Sequence, residues 1–168
     1  VRPPWLDRVV VEARAVREQV GLIDLSSFGK IAVDGPGALG LLQHVAANDL
    51  ARPVGSVVYT QFCDERGGMV ADITVTRLAE ASFRVVTGSA AVASDLAWLT
   101  VNAAEFDVTL RDVSGDLATI GLWGPQARAV LAAASTDDVG DRGLPMRTAG
   151  AIQVAGAPVL ATRISYAG

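Results

Sequence analysis

Near the middle of the chain, two runs of β-forming residues flank a polar turn, and no other feature constrains the fold as strongly. Val57 to Cys63 leads into Asp64-Glu65-Arg66-Gly67-Gly68, and Met69 to Leu78 returns. β-branched and aromatic residues on either side of a glycine-bearing turn read as a β-hairpin. Alternation places Met69, Ala71, Ile73 and Val75 on one face and Val70, Asp72, Thr74 and Thr76 on the other. The first face reads as core. The second carries a carboxylate in mid-strand, where Asp is uncommon and asks for a reason. The bland reading is a solvated open face. With Glu65-Arg66 as the central turn residues, Tyr59 lies directly opposite Asp72, and a slipped register puts Gln61 there instead. An aromatic and a carboxylate on one sheet face can hold a planar ligand that bears an amine.

The hairpin sits within alternating helical and extended segments. Asp7–Val20 reads as a helix that Gly21 can stop. Lys30–Val33 reads as a short strand ended by Asp34-Gly35-Pro36. Pro36 suits a first helical turn, and Leu39, Leu41, Leu42 and Val45 continue a helix to about Ala47. Phe83–Thr87 is a further strand. Ala90–Ala104 is a helix with Val92, Leu96 and Leu99 on one side. Val108–Val113 and Leu117–Leu122 are strands, and Gly124-Pro125 opens a helix to about Ala134. Met146–Ile164 reads as extended segments broken at Gly150, Gly156 and Pro158. This order predicts an α+β fold in which antiparallel sheets carry split β-α-β (ferredoxin-like) units, with helices on one face.

About half of the residues are apolar and the formal net charge is −4, so a basic nucleic-acid-binding face is not expected. No apolar run reaches the length of a membrane helix, and the start Val1-Arg2-Pro3-Pro4-Trp5 lacks the pattern of a secretory signal, so the expected location is cytoplasmic. The single cysteine, Cys63, excludes an internal disulfide. The end at Tyr166-Ala167-Gly168, directly after a strand-like segment, reads as part of something longer.

Other chemistry-bearing residues read as structural. His44 is the only histidine and has no neighbouring Ser or Cys nucleophile, and one His with one distant Cys is no metal cluster. Cys63 reads as a strand-end hydrophobe. Gly67-Gly68 and Gly35-Pro36-Gly37 read as turn chemistry, since no phosphate loop or dinucleotide fingerprint is present.

Five stretches, in order, resemble one family. Val20-Gly21-Leu22-Ile23-Asp24-Leu25-Ser26-Ser27-Phe28-Gly29-Lys30 is similar to the opening of aminomethyltransferase-like folate domains. Tyr59-Thr60-Gln61-Phe62, followed by Gly67-Gly68-Met69-Val70-Ala71-Asp72, resembles their Y-T-x-x-x-(N/D)-x-x-G-G-x-x-x-D segment. Phe83 to Ala90 resembles the next strand and turn. Leu122-Trp123-Gly124-Pro125-Gln126-Ala127 resembles L-x-G-P-x-A. Arg163-Ile164-Ser165-Tyr166-Ala167-Gly168 resembles the start of R-x-S-Y-(T/A)-G-E. Two branches share the fold: the glycine cleavage T-protein, and the C-terminal folate module of dimethylglycine and sarcosine dehydrogenases and oxidases. Ala71 and Gly88 depart from the T-protein, which usually has an acidic residue and Asn there. The Val86-Thr87-Gly88-Ser89 run, the Ile164-Ser165-Tyr166 ending and the Val20–Lys30 opening are more similar to the dehydrogenase branch.

The resemblance implies a folate-binding region over 1–168, with about 50–135 as a ferredoxin-like core and 1–49 and 136–168 as parts of a second, incomplete subdomain. It implies tetrahydrofolate as cofactor, with FAD only in a separate domain, and a small methylated amine or aminomethyl donor as the other ligand. A flavin-dependent oxidoreductase domain is the implied partner within a longer chain. Asp72 is implied as the catalytic carboxylate, and Phe28, Tyr59, Asp72, Thr74, Val86, Thr87 and Tyr166 as cofactor-binding residues. A glutamate that binds the pterin is implied directly after Gly168. The implied reaction captures an aminomethyl or iminium carbon to form 5,10-methylenetetrahydrofolate. The alternatives are a stand-alone T-protein-like aminomethyltransferase, a folate-dependent demethylase, and a non-catalytic folate-fold scaffold.

Overall fold

The computed structural model describes residues 2–165. In chain order the elements are α1 (Leu6–Glu18), β1 (Gly21–Asp24), β2 (Gly29–Asp34), α2 (Ala38–Val45), β3 (Val57–Cys63), β4 (Met69–Ala79), β5 (Ser82–Thr87), α3 (Val92–Asn102), β6 (Thr109–Asp112), β7 (Ile120–Trp123), α4 (Ala127–Ala134), β8 (Thr148–Val154) and β9 (Ala157–Arg163). They divide into two compact units.

One unit comprises residues 26–119 and 147–149. Among its described residues, five strands form an antiparallel sheet in the order β3-β4-β5-β2-β6. Both β5 and β6 run antiparallel to β2 between them, so β5 and β6 are parallel and α3 joins them as a split β-α-β unit. The β2–α2–β3 connection differs. It crosses two strands and joins antiparallel ones, because the sheet holds both β4 and β5 between its ends. The expected core boundary near residue 50 moves accordingly. β2, the strand with the deepest burial, lies between β5 and β6 and brings residues 29–34 into this unit.

Period-two alternation along the strands and a helical stripe on α2 build one core. Ala38, Leu41, Leu42 and Val45 follow i, i+3, i+4, i+7 spacing and are buried. They cluster with Ile31, Val33, Phe62, Ile73, Val75, Phe83 and Val85 of the sheet and with Leu99 of α3. Gly29 is required where β2 meets α3: a Cβ there would lie 2.1 Å from Val92 Cγ2. The outer edge of β3 is occupied by the segment after α2. Ala46 bridges Phe62, and the Ala47 amide donates to the Gln61 carbonyl at 2.9 Å. An edge strand whose backbone groups are met in this way is closed to further pairing.

The other unit comprises residues 1–25, 120–146 and 150–168. β1 pairs antiparallel with β7, and β8 pairs with β9. β1 was not expected as a strand. Its partner lies about a hundred residues away, and Leu22 and Ile23 are exposed, so no local periodicity marks it. The expected break at Gly150 is absent, because this glycine lies inside β8. The expected break at Gly156 is present: the chain reverses at Ala155 and Gly156, both at positive φ (49° and 81°), as a two-residue hairpin turn requires. Pro158 lies inside β9 rather than breaking it. No helix among the described residues is long and apolar enough to cross a membrane.

Candidate functional site

The site begins with the hairpin register. The Asp64 carboxylate accepts from the Arg66 amide at 2.9 Å and the Gly68 amide at 2.7 Å. Gly67 takes φ +78°, a left-handed conformation that glycine adopts without a Cβ clash. The Gly67 amide donates to the Asp64 carbonyl at 3.0 Å, so Glu65-Arg66 are the central turn residues as expected, but Gly67 adds one residue to the loop before the Asp64 amide meets the Gly68 carbonyl at 2.9 Å. Beyond it, Cys63 pairs with Met69 and Phe62 with Ala71, which leaves Val70 as an extra residue. The odd loop and this bulge together displace the register by two residues. Tyr59 pairs with Thr74, and Asp72 pairs with Gln61. The directly opposed Tyr59–Asp72 pair is thus corrected to Gln61–Asp72. A shift of two keeps every side chain on its face, so Tyr59 and Asp72 still share one surface. The bulge also ends the alternation at Ala71, and Met69, expected in the core, is exposed.

Successive pairings draw a straight row across four strands: Tyr59 on β3, Thr74 on β4, Val86 on β5 and Lys30 on β2. Directly paired residues share a face, so this row lies on the surface opposite the helices. Gln61 and Asp72 form the next row outward on the same surface. Tyr59 is 61% exposed, Asp72 is exposed, and Thr74 and Val86 are half-buried. Lys30 ends the row only 2% exposed, with Nζ donating to the Ser26 carbonyl at 2.9 Å. Phe28, partly exposed, stands in the bend directly before β2.

The structure therefore brings Tyr59, Asp72, Thr74 and Val86 together. Thr87 does not join them. It points into the helix side of the sheet, is 3% exposed, and donates its hydroxyl to Asp95 Oδ2 of α3. One step along a strand reverses the side chain, so Val86 and Thr87 cannot line one surface. Tyr166 lies outside the described residues. Two residues of this surface were not assigned from sequence. Both stand in quoted motifs, Lys30 in the opening and Gln61 in the Tyr59–Phe62 run, and Gln61 was also the slipped-register alternative to Tyr59.

Electrostatically the surface is simple. Asp72 Oδ1 accepts from Gln61 Nε2 at 3.2 Å, and among the described residues no cation is paired with it. At the far end of β6, the Ser114 hydroxyl and amide hold the Asp112 carboxyl below its ordinary range, with Lys30 adding a smaller attraction. His44 is exposed on α2 with its ring tilted 42° against Phe106, 6.1 Å between centroids, which is a packing contact. Among the described residues no group of three or more His, Cys, Asp or Glu is arranged to hold a metal. A half-apolar sheet face with one oriented carboxylate suits a flat ring that carries N–H donors or positive charge.

Residues 2–168 match the family described as the GCVT N-terminal domain. The chain is 33% identical over 169 residues to dimethylglycine dehydrogenase of Rattus norvegicus, covering 99% of this chain and 20% of that protein. It is 35% identical over 167 residues to an aminomethyltransferase of Lysinibacillus sphaericus, covering 99% of this chain and 45% of that protein. Among solved structures, the glycine cleavage system aminomethyltransferase T of Bartonella henselae superposes with a TM-score of 0.71 at 31% identity, covering 84% of this chain and 38% of that one. The chain thus spans a fifth to under a half of the length of the relatives it matches.

Proposed function

The chain belongs to the GCVT N-terminal domain family, and we propose that it forms part of a tetrahydrofolate site at which an aminomethyl or iminium carbon is captured. The observation that supports this reading is the Asp72 carboxylate on an open sheet face, oriented by Gln61 and sharing that face with Tyr59, Thr74 and Val86. Tetrahydrofolate, when bound, supplies the nitrogens that take up the one-carbon unit as 5,10-methylenetetrahydrofolate. The Tyr59 ring and the Val86 side chain offer apolar surface to a flat ring, and the Thr74 hydroxyl offers a donor and an acceptor. Asp72 accepts N–H groups, stabilises positive charge that develops on reacting nitrogens, and can hold a proton on its carboxylate. A charge fixed before reaction needs no reorganisation as the barrier is crossed, which is why one carboxylate can matter so much.

The donor in this reading is a small methylated amine or an aminomethyl group. The chain then acts as the folate module of a longer amine-demethylating enzyme whose flavin chemistry resides in another domain. Two measurements on the full-length protein test it. Titrating tetrahydrofolate by calorimetry should give saturable heat, and none is expected of a scaffold. Asp72→Asn should lower methylenetetrahydrofolate formation by about 10²-fold, the usual scale for removing one preorganised electrostatic partner. Unchanged turnover overturns the assignment of Asp72.

A further inference from the structure

Gln61 and Asp72 are direct cross-strand neighbours, a geometry that puts their Cβ atoms roughly 5 Å apart. The Gln61 amide uses that proximity to donate to Asp72 Oδ1 at 3.2 Å. The Gln61 backbone is held from the other side as well. On the outer edge of β3 its carbonyl accepts from the Ala47 amide at 2.9 Å. One residue away in each direction, the Asn48 backbone N–H donates to Thr60 Oγ1, and Ala46 bridges Phe62. The donor is thus mounted on a pinned strand, whereas the carboxylate it meets is exposed to solvent.

We propose that Gln61 is a positioning residue: its side-chain amide holds one oxygen of Asp72 and leaves the other directed at the incoming nitrogen. This rests on the reading of Asp72 as the reacting carboxylate. An exposed Asp rotates about two side-chain torsions, and a donor on the facing strand removes most of that freedom before a ligand arrives. The chemistry of the donor matters as much as its place. A Lys or Arg here would orient Asp72 equally well but would neutralise it. A neutral amide orients the carboxylate and leaves its full negative charge for the cationic substrate or transition state.

The test is a double-mutant cycle in the full-length enzyme, following methylenetetrahydrofolate formation. Gln61→Met keeps the side-chain length and removes the amide. It should lower kcat by about tenfold, with the KM for the amine changed far less, since orientation acts on the reacting step. Combined with Asp72→Asn, the same substitution should change turnover by less than about twofold, because its target is already gone. Equal losses in the two backgrounds mean that Gln61 acts on something other than Asp72, and they overturn the positioning role while leaving Asp72 in place. Asp72→Asn at wild-type turnover overturns the reading of Asp72 itself, and the positioning role with it. Gln61→Glu gives an arm that does not depend on turnover. It sets two carboxylates face to face and should lower the melting temperature. Adding Asp72→Asn restores a donor–acceptor pair of reversed polarity and should recover that loss. Failure to recover it also overturns the proposed contact.

Discussion

The Thr87 hydroxyl and Asp95 Oδ2 lie 2.5 Å apart on the helix side of the sheet, and both side chains are at most 3% exposed. The pair ties the end of β5 to the first turns of α3. It also gives Thr87 a structural task away from the surface that carries Asp72. Thr87→Val, nearly isosteric, strands a buried carboxylate without its hydroxyl and should destabilise the protein by about 2 kcal/mol or more. Thr87→Ser should keep most of that stability. Urea midpoints check both. A Thr87→Val protein of wild-type stability with weakened folate binding would instead make Thr87 a ligand contact.

The close approach of β2 to α3 leads to a second expectation. A methyl group at position 29 would meet Val92 Cγ2 at 2.1 Å and Thr87 Cγ2 at 3.0 Å. Gly29→Ala should therefore cost roughly 1–3 kcal/mol through overpacking. Val92→Ala in the same protein should return part of that loss, because the clash is with that side chain. If the two substitutions are simply additive in a denaturation series, the contact is not the cause.

Asp64 holds the hairpin loop through two backbone amides. Both amides donate to Asp64 Oδ1, so Asp64→Ala removes the single acceptor of both bonds and should cost about 1 kcal/mol, in the range of a lost capping interaction. Asp64→Asn retains one acceptor oxygen and should cost less. Because this loop and the bulge at Val70 set the register that places Gln61 opposite Asp72, Asp64→Ala should also broaden the backbone NMR signals of residues 61–72. Unbroadened signals would mean that the strands hold the register without the loop.

In the other unit, Asp141 accepts from Arg163 of β9 at 2.7 Å and from Arg128 of α4 at 3.1 Å. The Arg163 and then the Arg128 hydrogen bonds hold its carboxyl below the ordinary aspartate range. A carboxyl lowered on folding contributes stability that is present above its unfolded pKa of about 4 and is lost as pH falls through the lower folded value. Asp141→Asn should flatten this part of the acid-unfolding profile below about pH 4 and leave the neutral-pH profile shape unchanged. A carboxyl resonance for Asp141 that titrates at or above the ordinary value contradicts the two-arginine clamp.

Elements whose partners are close in sequence were legible without coordinates. The hairpin, α2 with its Leu41-Leu42-Val45 stripe, and the strand at Phe83–Thr87 all stand where periodicity places them. β1 was not legible, since it exists through pairing with β7 and its exposed Leu22 and Ile23 carry no alternation. The two-stranded separation of β2 from β3 was equally hidden, because strand order is a property of long-range contacts rather than of any segment.

The same division runs through the site. From sequence alone, Asp72 was a mid-strand carboxylate on the non-core face, and the turn residues announced a hairpin around it. Those conclusions need only the period of a strand and the chemistry of Gly67 and Asp64. What stands opposite Asp72 depended on one extra residue, Val70, and on the width of the loop, and only tertiary structure decided it in favour of Gln61. Tertiary structure likewise turned Thr87 toward Asp95 and carried the row from Tyr59 to Lys30. Alternation determines which face a side chain takes, whereas register and strand order, which depend on contacts between distant residues, determine what it meets there.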